Sequence, residues 1–335
     1  MRVGDVYPLI ACRKWTAAAS GRGQWTWARR SPSDSVRALA MQCIPAACGL
    51  TLAVVCVGMV LVFGVEFQEV RSTLRSRRTQ GGGVHGNAIL SKFDVTAAWC
   101  VPHTHQPFSW PKWGHLLRQP RRGGRCFVGA ELRTGLAAMP LLRAYSVHLE
   151  CVAGAHGRLR QLGEVLQHSA SRRRLRSATG AGGAPASRHV PVLIGGDANT
   201  LLTGVMKTNP MYWDRWTLPC LGMTEAKLWH QLLPIRTNHQ PHIPHFGPWS
   251  PSLPRELVQG ARDARLDALL EPFDPDRDTT TRGMAGAWTA KLDWLMLGGT
   301  CTVKGSTLKI SNAATGGSGA SDHEWVCYDV GALNA

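Results

Sequence analysis

A layered α/β or α+β domain is what this sequence predicts, and three observations predict it. From residue 84 onward, apolar runs of strand length alternate with stretches of helical periodicity, the pattern of sheets packed against helices. Three short acidic motifs, Gly195-Gly196-Asp197-Ala198-Asn199-Thr200, Leu292-Asp293-Trp294 and Ser321-Asp322-His323, each border a strand-like run. The ends of strands are where open α/β sheets collect ligands, because loops converge there. Finally, 335 residues with 44% hydrophobic content suffice to bury one large core or two modest ones.

Taken in order, residues 1–42 are rich in Arg, Ser, Ala and Trp and poor in acid, the composition of a targeting segment or a disordered basic leader. Residues 43–65 carry no charge. Their length suits a membrane-spanning helix, which needs roughly 20 apolar residues, and suits equally a buried helix followed by a core strand over residues 59–65. Basic residues on both flanks leave orientation open. The remainder, 66–335, reads as one domain. Strands are expected at Cys126–Leu132, at Leu141–Leu149, at Val190–Ile194, near Asp293, over Lys304–Ile310 and over Trp325–Val330. A helix is expected over Ala155–Gln167, where Leu159, Leu162, Val165 and Leu166 recur at helical spacing. Small and basic residues at 170–188 predict an exposed loop. The Pro-, Trp- and His-rich stretch 205–252 predicts a long irregular insertion, and a helix follows from Pro254 to about Leu270.

Charge narrows the partner. The net charge is +16, and residues 66–190 hold 19 Lys and Arg against 6 Asp and Glu, whereas residues 191–335 hold 12 against 14. A basic middle beside a balanced motif-bearing part fits a polyanionic partner, and it also fits a merely solvated surface. The ten cysteines include no C-x-x-C pair, which argues against a zinc module and leaves the redox compartment open. Prolines at 102, 107, 241 and 244 interrupt His103-x-His105 and His239-x-x-His242-x-x-His245, so these read as loop surface rather than a metal helix.

The motif residues suit phosphoester hydrolysis, which needs phosphoryl oxygens polarised, a water oriented and a leaving oxygen stabilised. Mg²⁺ or Mn²⁺ suits carboxylate and amide oxygens. Asp197 and Asn199, two apart, project the same way from an extended segment. An imidazole at 323 paired with Asp293 is held as a cation against phosphate. Each motif alone also reads as an Asx turn, a cap or a satisfied core carboxylate.

As a set, Ile194–Thr200, Lys291–Leu295 and Ser321–His323, with Gly86–Lys92, Gly124-Arg125-Cys126 and Tyr145–Glu150 upstream and Arg158 and Gln161 after them, resemble the signature motifs of the endonuclease/exonuclease/phosphatase superfamily over about residues 84–331. The resemblance implies a four-layer α/β sandwich, two mixed sheets face to face with helices outside, and Mg²⁺-dependent attack of water on a phosphate ester. It implies Asp197 as the group that orients or deprotonates water, Asn199 as a phosphate contact, and His323 paired with Asp293 as a phosphate ligand. His148 matches the histidine of the deoxyribonuclease-like and sphingomyelinase-like branches, which binds phosphate or protonates the leaving group. Asn87 and Arg125 read as structural or rim residues.

The metal ligands implied are Asp322 and the glutamate of a Gln-Glu pair, locally matched by Gln68-Glu69. The N-terminal part of the pattern is incomplete, since no asparagine precedes Asn87 and only a short stretch separates Glu69 from Gly86. Glu66 and Glu69 also fit a later strand. The expected activity is hydrolysis of a phosphodiester of nucleic acid or phospholipid, with membrane association through 43–65. The alternative is a catalytically impaired relative that binds anions.

Overall fold

A computed structural model describes residues 6–7, 51–56, 59–69, 84–114, 121–136, 139–178, 190–214, 217, 222–233, 253–264, 269–275, 277–283, 288–298, 308–316 and 323–332. In chain order the strands are β1 (Val6–Tyr7), β2 (Thr51–Cys56), β3 (Met59–Glu69), β4 (Val84–Ser91), β5 (Asp94–Pro102), β6 (Arg121–Gly123), β7 (Cys126–Arg133), β8 (Leu141–His148) and β9 (Val192–Asp197). They continue with β10 (Leu269–Leu270), β11 (Thr281–Gly283), β12 (Trp288–Ala290), β13 (Asp293–Gly298), β14 (Leu308–Gly316) and β15 (Trp325–Ala332). The helices are α1 (Trp110–Trp113), α2 (Gly154–Ala178), α3 (Glu225–Leu232) and α4 (Arg255–Ala264).

Two sheets dominate. One has the order β1-β4-β3-β2 with β6 also paired to β3, all antiparallel; the other runs β10-β13-β9-β8-β7-β5 and is mixed, its parallel pair being β8 with β9. Only the second sheet is therefore mixed, where two mixed sheets were expected. Val62 and Ile89 of the first sheet meet Val128, Ala130, Leu142, Leu193 and Leu295 of the second in one apolar cluster. The opposite face of the second sheet, through Phe127, Tyr145, Ile194 and Trp294, packs on Leu159, Leu162 and Leu166 of α2, Trp229 of α3 and Leu257 of α4. Each such fully buried large side chain contributes about 1.5–3 kcal/mol. Sheet, sheet and helices are three of the four expected layers, and among the described residues α2, α3 and α4 all lie on the second sheet. The architecture is layered α+β.

The apolar run at 43–65 does not form a spanning helix. Its described part is β2 and β3, paired antiparallel from Thr51↔Gly64 to Cys56↔Met59, and no described helix is long and apolar enough to cross a membrane. Hydropathy sees only the length of an apolar run; the Val-rich content suits a pleated surface. Residues 43–50 and 1–5 lie outside the described residues, as does most of the leader.

Other boundaries shift for local reasons. α2 continues into the expected loop as far as Ala178, with Ala170 buried and Arg173 Nη2 donating to the Asp263 carbonyl at 2.7 Å; Arg and Ala are good helix formers, and residues 179–188 lie outside the described residues. α4 stops at Ala264, and Leu269–Leu270 pairs instead with β13. Within the supposed irregular insertion, Thr224 caps α3 by accepting from the Lys227 amide. The last two strands end later than expected, at Gly316 and Ala332, and the second begins at Trp325 as expected.

Candidate active site

Strand register builds the site. His148 ends β8 opposite Asp197, which ends the parallel neighbour β9, and Asp197 in turn lies opposite Asp293 at the start of antiparallel β13. With neighbouring strands about 4.8 Å apart, three motif residues far apart in sequence become one row across the edge of the second sheet. Gly196 makes the row possible: its φ is +151°, and a Cβ there would sit 1.8 Å from the Val147 carbonyl oxygen. Only glycine permits that approach.

The chain after β9 turns through Asn199, whose φ is 51°, a left-handed geometry that Asn tolerates. The Asn199 amide donates to Asp197 Oδ1 at 2.8 Å, and Asn199 Nδ2 donates to the Leu149 carbonyl at 2.8 Å. The pair thus forms an Asx turn and remains at the row; one amide hydrogen of Asn199 is spent on Leu149 and the group has two. Behind it, Arg158 Nε donates to Glu225 Oε1 at 2.9 Å, and Glu225 Oε2 accepts from the Leu202 amide at 3.1 Å, tying α2, α3 and the post-β9 loop together.

His323 reaches the row from a bridge to Thr281, and its Nδ1 lies 2.8 Å from Asp293 Oδ2. Thr280 Oγ1 accepts from the Leu292 and Asp293 amides, both at 2.9 Å, and its carbonyl accepts from the Glu324 amide. One threonine therefore clamps both partners. Asp293 is 1% exposed, and its Oδ1 has no hydrogen-bond partner among the described residues. Beneath it, Lys291 Nζ forms a buried ion pair with Glu271 at 3.0 Å, and burial, opposed by Lys291, leaves the Glu271 carboxyl pushed up to about 7.

Among the described side chains, the carboxylate that the first sheet contributes is Glu66. The β3–β4 register shifts between Val65 and Phe67, so Glu66 is the extra residue of a bulge, which re-aims a side chain. It is 3% exposed. Its Oε1 accepts from Asn87 Nδ2 at 3.0 Å and the Cys126 amide at 3.3 Å; its Oε2 lies 3.3 Å from Arg125 Nη1 and 3.2 Å from His148 Nδ1. The other nitrogen of His148, Nε2, lies 3.6 Å from Asp197 Oδ2. The backbone of Glu69 pairs with Arg121 at the end of β3. Asp322 lies outside the described residues.

Electrostatics separates the two acids flanking His148. Burial alone raises the Glu66 carboxyl, but His148, Arg125 and the hydrogen bonds bring it below the ordinary glutamate range. Burial also raises Asp197, and there it wins, with the charge of Asp293 adding to it against His148 and His323. Asp197 is thus the carboxylate readier to take a proton.

Mg²⁺ or Mn²⁺ does not fit the described residues as they stand. A carboxylate offers roughly four lone-pair sites, and four groups already occupy those of Glu66, one of them a guanidinium that repels a cation. No group of three His, Cys, Asp or Glu among the described residues is arranged to hold a metal ion.

Sequence reasoning placed Asp197, Asn199, Asp293, His323 and His148 together, and the structure gathers all five. It missed Glu66. The signal was an acid directly after 23 uncharged residues, since an acid inside a buried strand demands partners. Asn87 and Arg125 are buried, 5% and 2% exposed, rather than at the rim, and both bond Glu66. His103 is likewise not surface; it is 2% exposed with Nδ1 2.9 Å from Glu164. His239, His242 and His245 lie outside the described residues.

No family model matches the chain, and no curated protein matches it. Among solved structures it is similar to an endonuclease/exonuclease/phosphatase from Beutenbergia cavernae, at 15% identity over 81% of this chain and 53% of that one, with a TM-score of 0.34. It thus spans about half the length of that protein. A humanized D. rerio TDP2 matches at 12% identity over 79% and 75% with a TM-score of 0.35, and the human Nocturnin catalytic domain at 14% over 82% and 73% with a TM-score of 0.34. Scores and identities this low do not place the chain in a family, and the functional reading stands on the site.

Proposed function

We propose that this chain hydrolyses a phosphate ester, a phosphodiester in particular, at the edge row His148–Asp197–Asp293. The observation that carries the reading is that row itself, with His323 Nδ1 held 2.8 Å from buried Asp293. With Nδ1 bound to Asp293, phosphate contact falls to Nε2, and the paired imidazolium stabilises charge developing on the phosphoryl oxygens. Asp197, its carboxyl raised by burial, accepts the proton of the attacking water. Asn199 binds a phosphoryl oxygen through its second amide hydrogen. His148, between Glu66 and Asp197, donates a proton to the leaving oxygen and recovers one from the Asp197 side.

The substrate class favoured is nucleic acid. A spanning segment at 43–65 would favour phospholipid, but its described part is sheet, and His148 matches the deoxyribonuclease-like branch as well as the sphingomyelinase-like one. The basic stretch 66–190 and the exposed Trp113, with Lys112 Nζ 4.8 Å from its ring centre, suit a strand with phosphates and bases. Divalent-metal dependence, with Mg²⁺ or Mn²⁺ and Asp322 as a ligand, belongs to the resemblance and supplies no step here. A second reading, an anion-binding protein without turnover, is favoured by the saturation of Glu66.

The test is turnover by the full chain on single-stranded DNA, RNA and sphingomyelin vesicles, each with Mg²⁺, Mn²⁺ or EDTA, beside Asp197→Ala and His323→Ala. Turnover lost in both variants supports the hydrolase. Binding of a substrate without turnover under every condition establishes the second reading, and turnover indifferent to both substitutions refutes the site.

A further inference from the structure

Two thiols meet behind Glu66. Cys100 on β5 and Cys126 on β7 have their sulfurs 3.6 Å apart, and both are free. In the antiparallel β5–β7 pair Cys100 lies opposite Val128 and Cys126 opposite Pro102, so the two cysteines are diagonal neighbours on one face. That face is the inner one: Val128 belongs to the core between the sheets, and Cys100 packs against that core. Cys126 is 2% exposed, whereas Cys100 is half-buried. The peptide groups of Cys126 are also what fix the site from behind, since its amide donates to Glu66 Oε1 at 3.3 Å and its carbonyl accepts from Asn87 Nδ2 at 2.8 Å.

We propose that Cys100 and Cys126 are a peroxide-oxidisable dithiol, and that closing them into a disulfide draws the Cys126 amide away from Glu66. Cys100, the more accessible thiol, is oxidised first. Its sulfur attacks hydrogen peroxide, an S–O bond forms as the O–O bond breaks, and one water leaves. The Cys126 sulfur then attacks the sulfenic sulfur of Cys100, the S–S bond forms as the S–O bond breaks, and a second water leaves. Two thiols lose two electrons and two protons, and one peroxide becomes two waters. A disulfide needs its sulfurs about 2.05 Å apart, so they must close by roughly 1.5 Å. Diagonal positions on paired strands stand about 7–8 Å apart, at the limit beyond which bridging requires backbone movement. In a close-packed core such movement is shared with neighbours, and the nearest are the bonds from Cys126 to Glu66 and Asn87. Where the hydrolase reading holds, oxidation loosens the carboxylate that faces His148.

The test needs no substrate, so its failure is distinct from failure of the hydrolase reading. The full chain is exposed to hydrogen peroxide, alkylated and digested without reductant, and amide hydrogen exchange is followed by mass spectrometry before and after oxidation. The expected result is a Cys100–Cys126 linked peptide lighter by two hydrogens than the reduced pair, reversed by dithiothreitol and absent in Cys100→Ser. The peptide holding the Cys126 amide then exchanges faster in the oxidised wild type and not in peroxide-treated Cys100→Ser. Both thiols still alkylatable after peroxide overturns the dithiol. A linked peptide with unchanged exchange at Cys126 overturns its coupling to Glu66.

Discussion

Replacing Arg125 with Met removes the one cation shared by two buried carboxylates. Arg125 Nη1 lies 3.3 Å from Glu66 and Nε 3.4 Å from Glu150, with the guanidinium 5.0 Å from the Phe67 ring centre. All three charged groups are 1–3% exposed. Met keeps much of the packing volume and none of the charge. Breaking a buried pair by removing one partner costs about 3–5 kcal/mol, because the remaining charge stays out of water. That is a large part of the roughly 5–15 kcal/mol that separates folded from unfolded chains. At about 2 °C per kcal/mol, the low end of the range and suited to a larger domain, the melting temperature falls by about 6–10 °C.

The effect has a pH signature. In the wild type the Glu66 carboxyl lies below its ordinary value, its burial outweighed by His148, Arg125 and hydrogen bonds. A depressed carboxyl contributes stability above its unfolded value, about 4.3, and loses it as pH falls through the folded value. Without Arg125 the depression shrinks, so the gap between wild type and variant is widest near neutrality and narrows below about pH 4.3. Urea melts from pH 3.5 to 7.5 measure it. Arg125→Lys, which retains charge without the fork, recovers part of the loss, and Arg125→Met/Glu66→Gln recovers part by removing one orphaned carboxylate. An Arg125→Met protein within about 1 kcal/mol of wild type at pH 7, no more than an average single substitution costs, or a gap that does not change with pH, refutes the argument.

Two further outcomes follow from the same geometry. Asp293→Asn removes a charge that adds to the burial-driven rise of Asp197, so the acid limb of the kcat/KM profile moves to lower pH while the plateau falls, because His323 loses its charged partner; an acid limb that stays in place contradicts Asp197 as the base. Gly163→Val, at the point where α2 and α4 touch and a Cβ would lie 2.4 Å from the Leu257 amide nitrogen, forces two backbones apart and costs about 1–3 kcal/mol by overpacking, read from urea denaturation; unchanged stability would falsify the close helix contact.

How much could be read in advance depended on whether the signal was local. Val190–Ile194 followed by two glycines announces a buried strand and a sharp turn, and β9 with Asp197 at its tip is what forms. The periodicity of Leu159, Leu162, Val165 and Leu166 announces α2. That His148, Asp197 and Asp293 share one row is a fact of register between strands distant in sequence, and no local pattern encodes it. The run at 43–65 left two readings open because hydropathy measures how apolar a segment is and not which period it folds with; the core strand expected over 59–65 is the one that forms, as part of β3. At β3 strict alternation fails, since the bulge buries Glu66 and Phe67 together, and the motif match to Gln68-Glu69 gives no sign that Glu66 meets His148. α3 was hidden because its cap, Thr224 followed by Glu225, lies in a stretch whose Pro and Trp content suggests only irregularity.

The charges of the site also constrain what it can bind. Glu66, Asp197 and Asp293 bring three carboxylates within reach of two imidazoles, His148 and His323, and one guanidinium. Arg125 is already divided between Glu66 and Glu150, so its charge is spent before any ligand arrives. A phosphodiester brings a further negative charge into a crevice whose low dielectric makes uncompensated charge costly. With Arg125 committed, His148 and His323 are the described side chains of the row able to carry positive charge toward it. Each imidazole stands against acids: His323 has its buried carboxylate at 2.8 Å, and His148 lies between two acids at 3.2 and 3.6 Å. Each of the three acids at this site thus has an imidazole beside it, and under the proposed reading those imidazoles are what an anionic substrate meets.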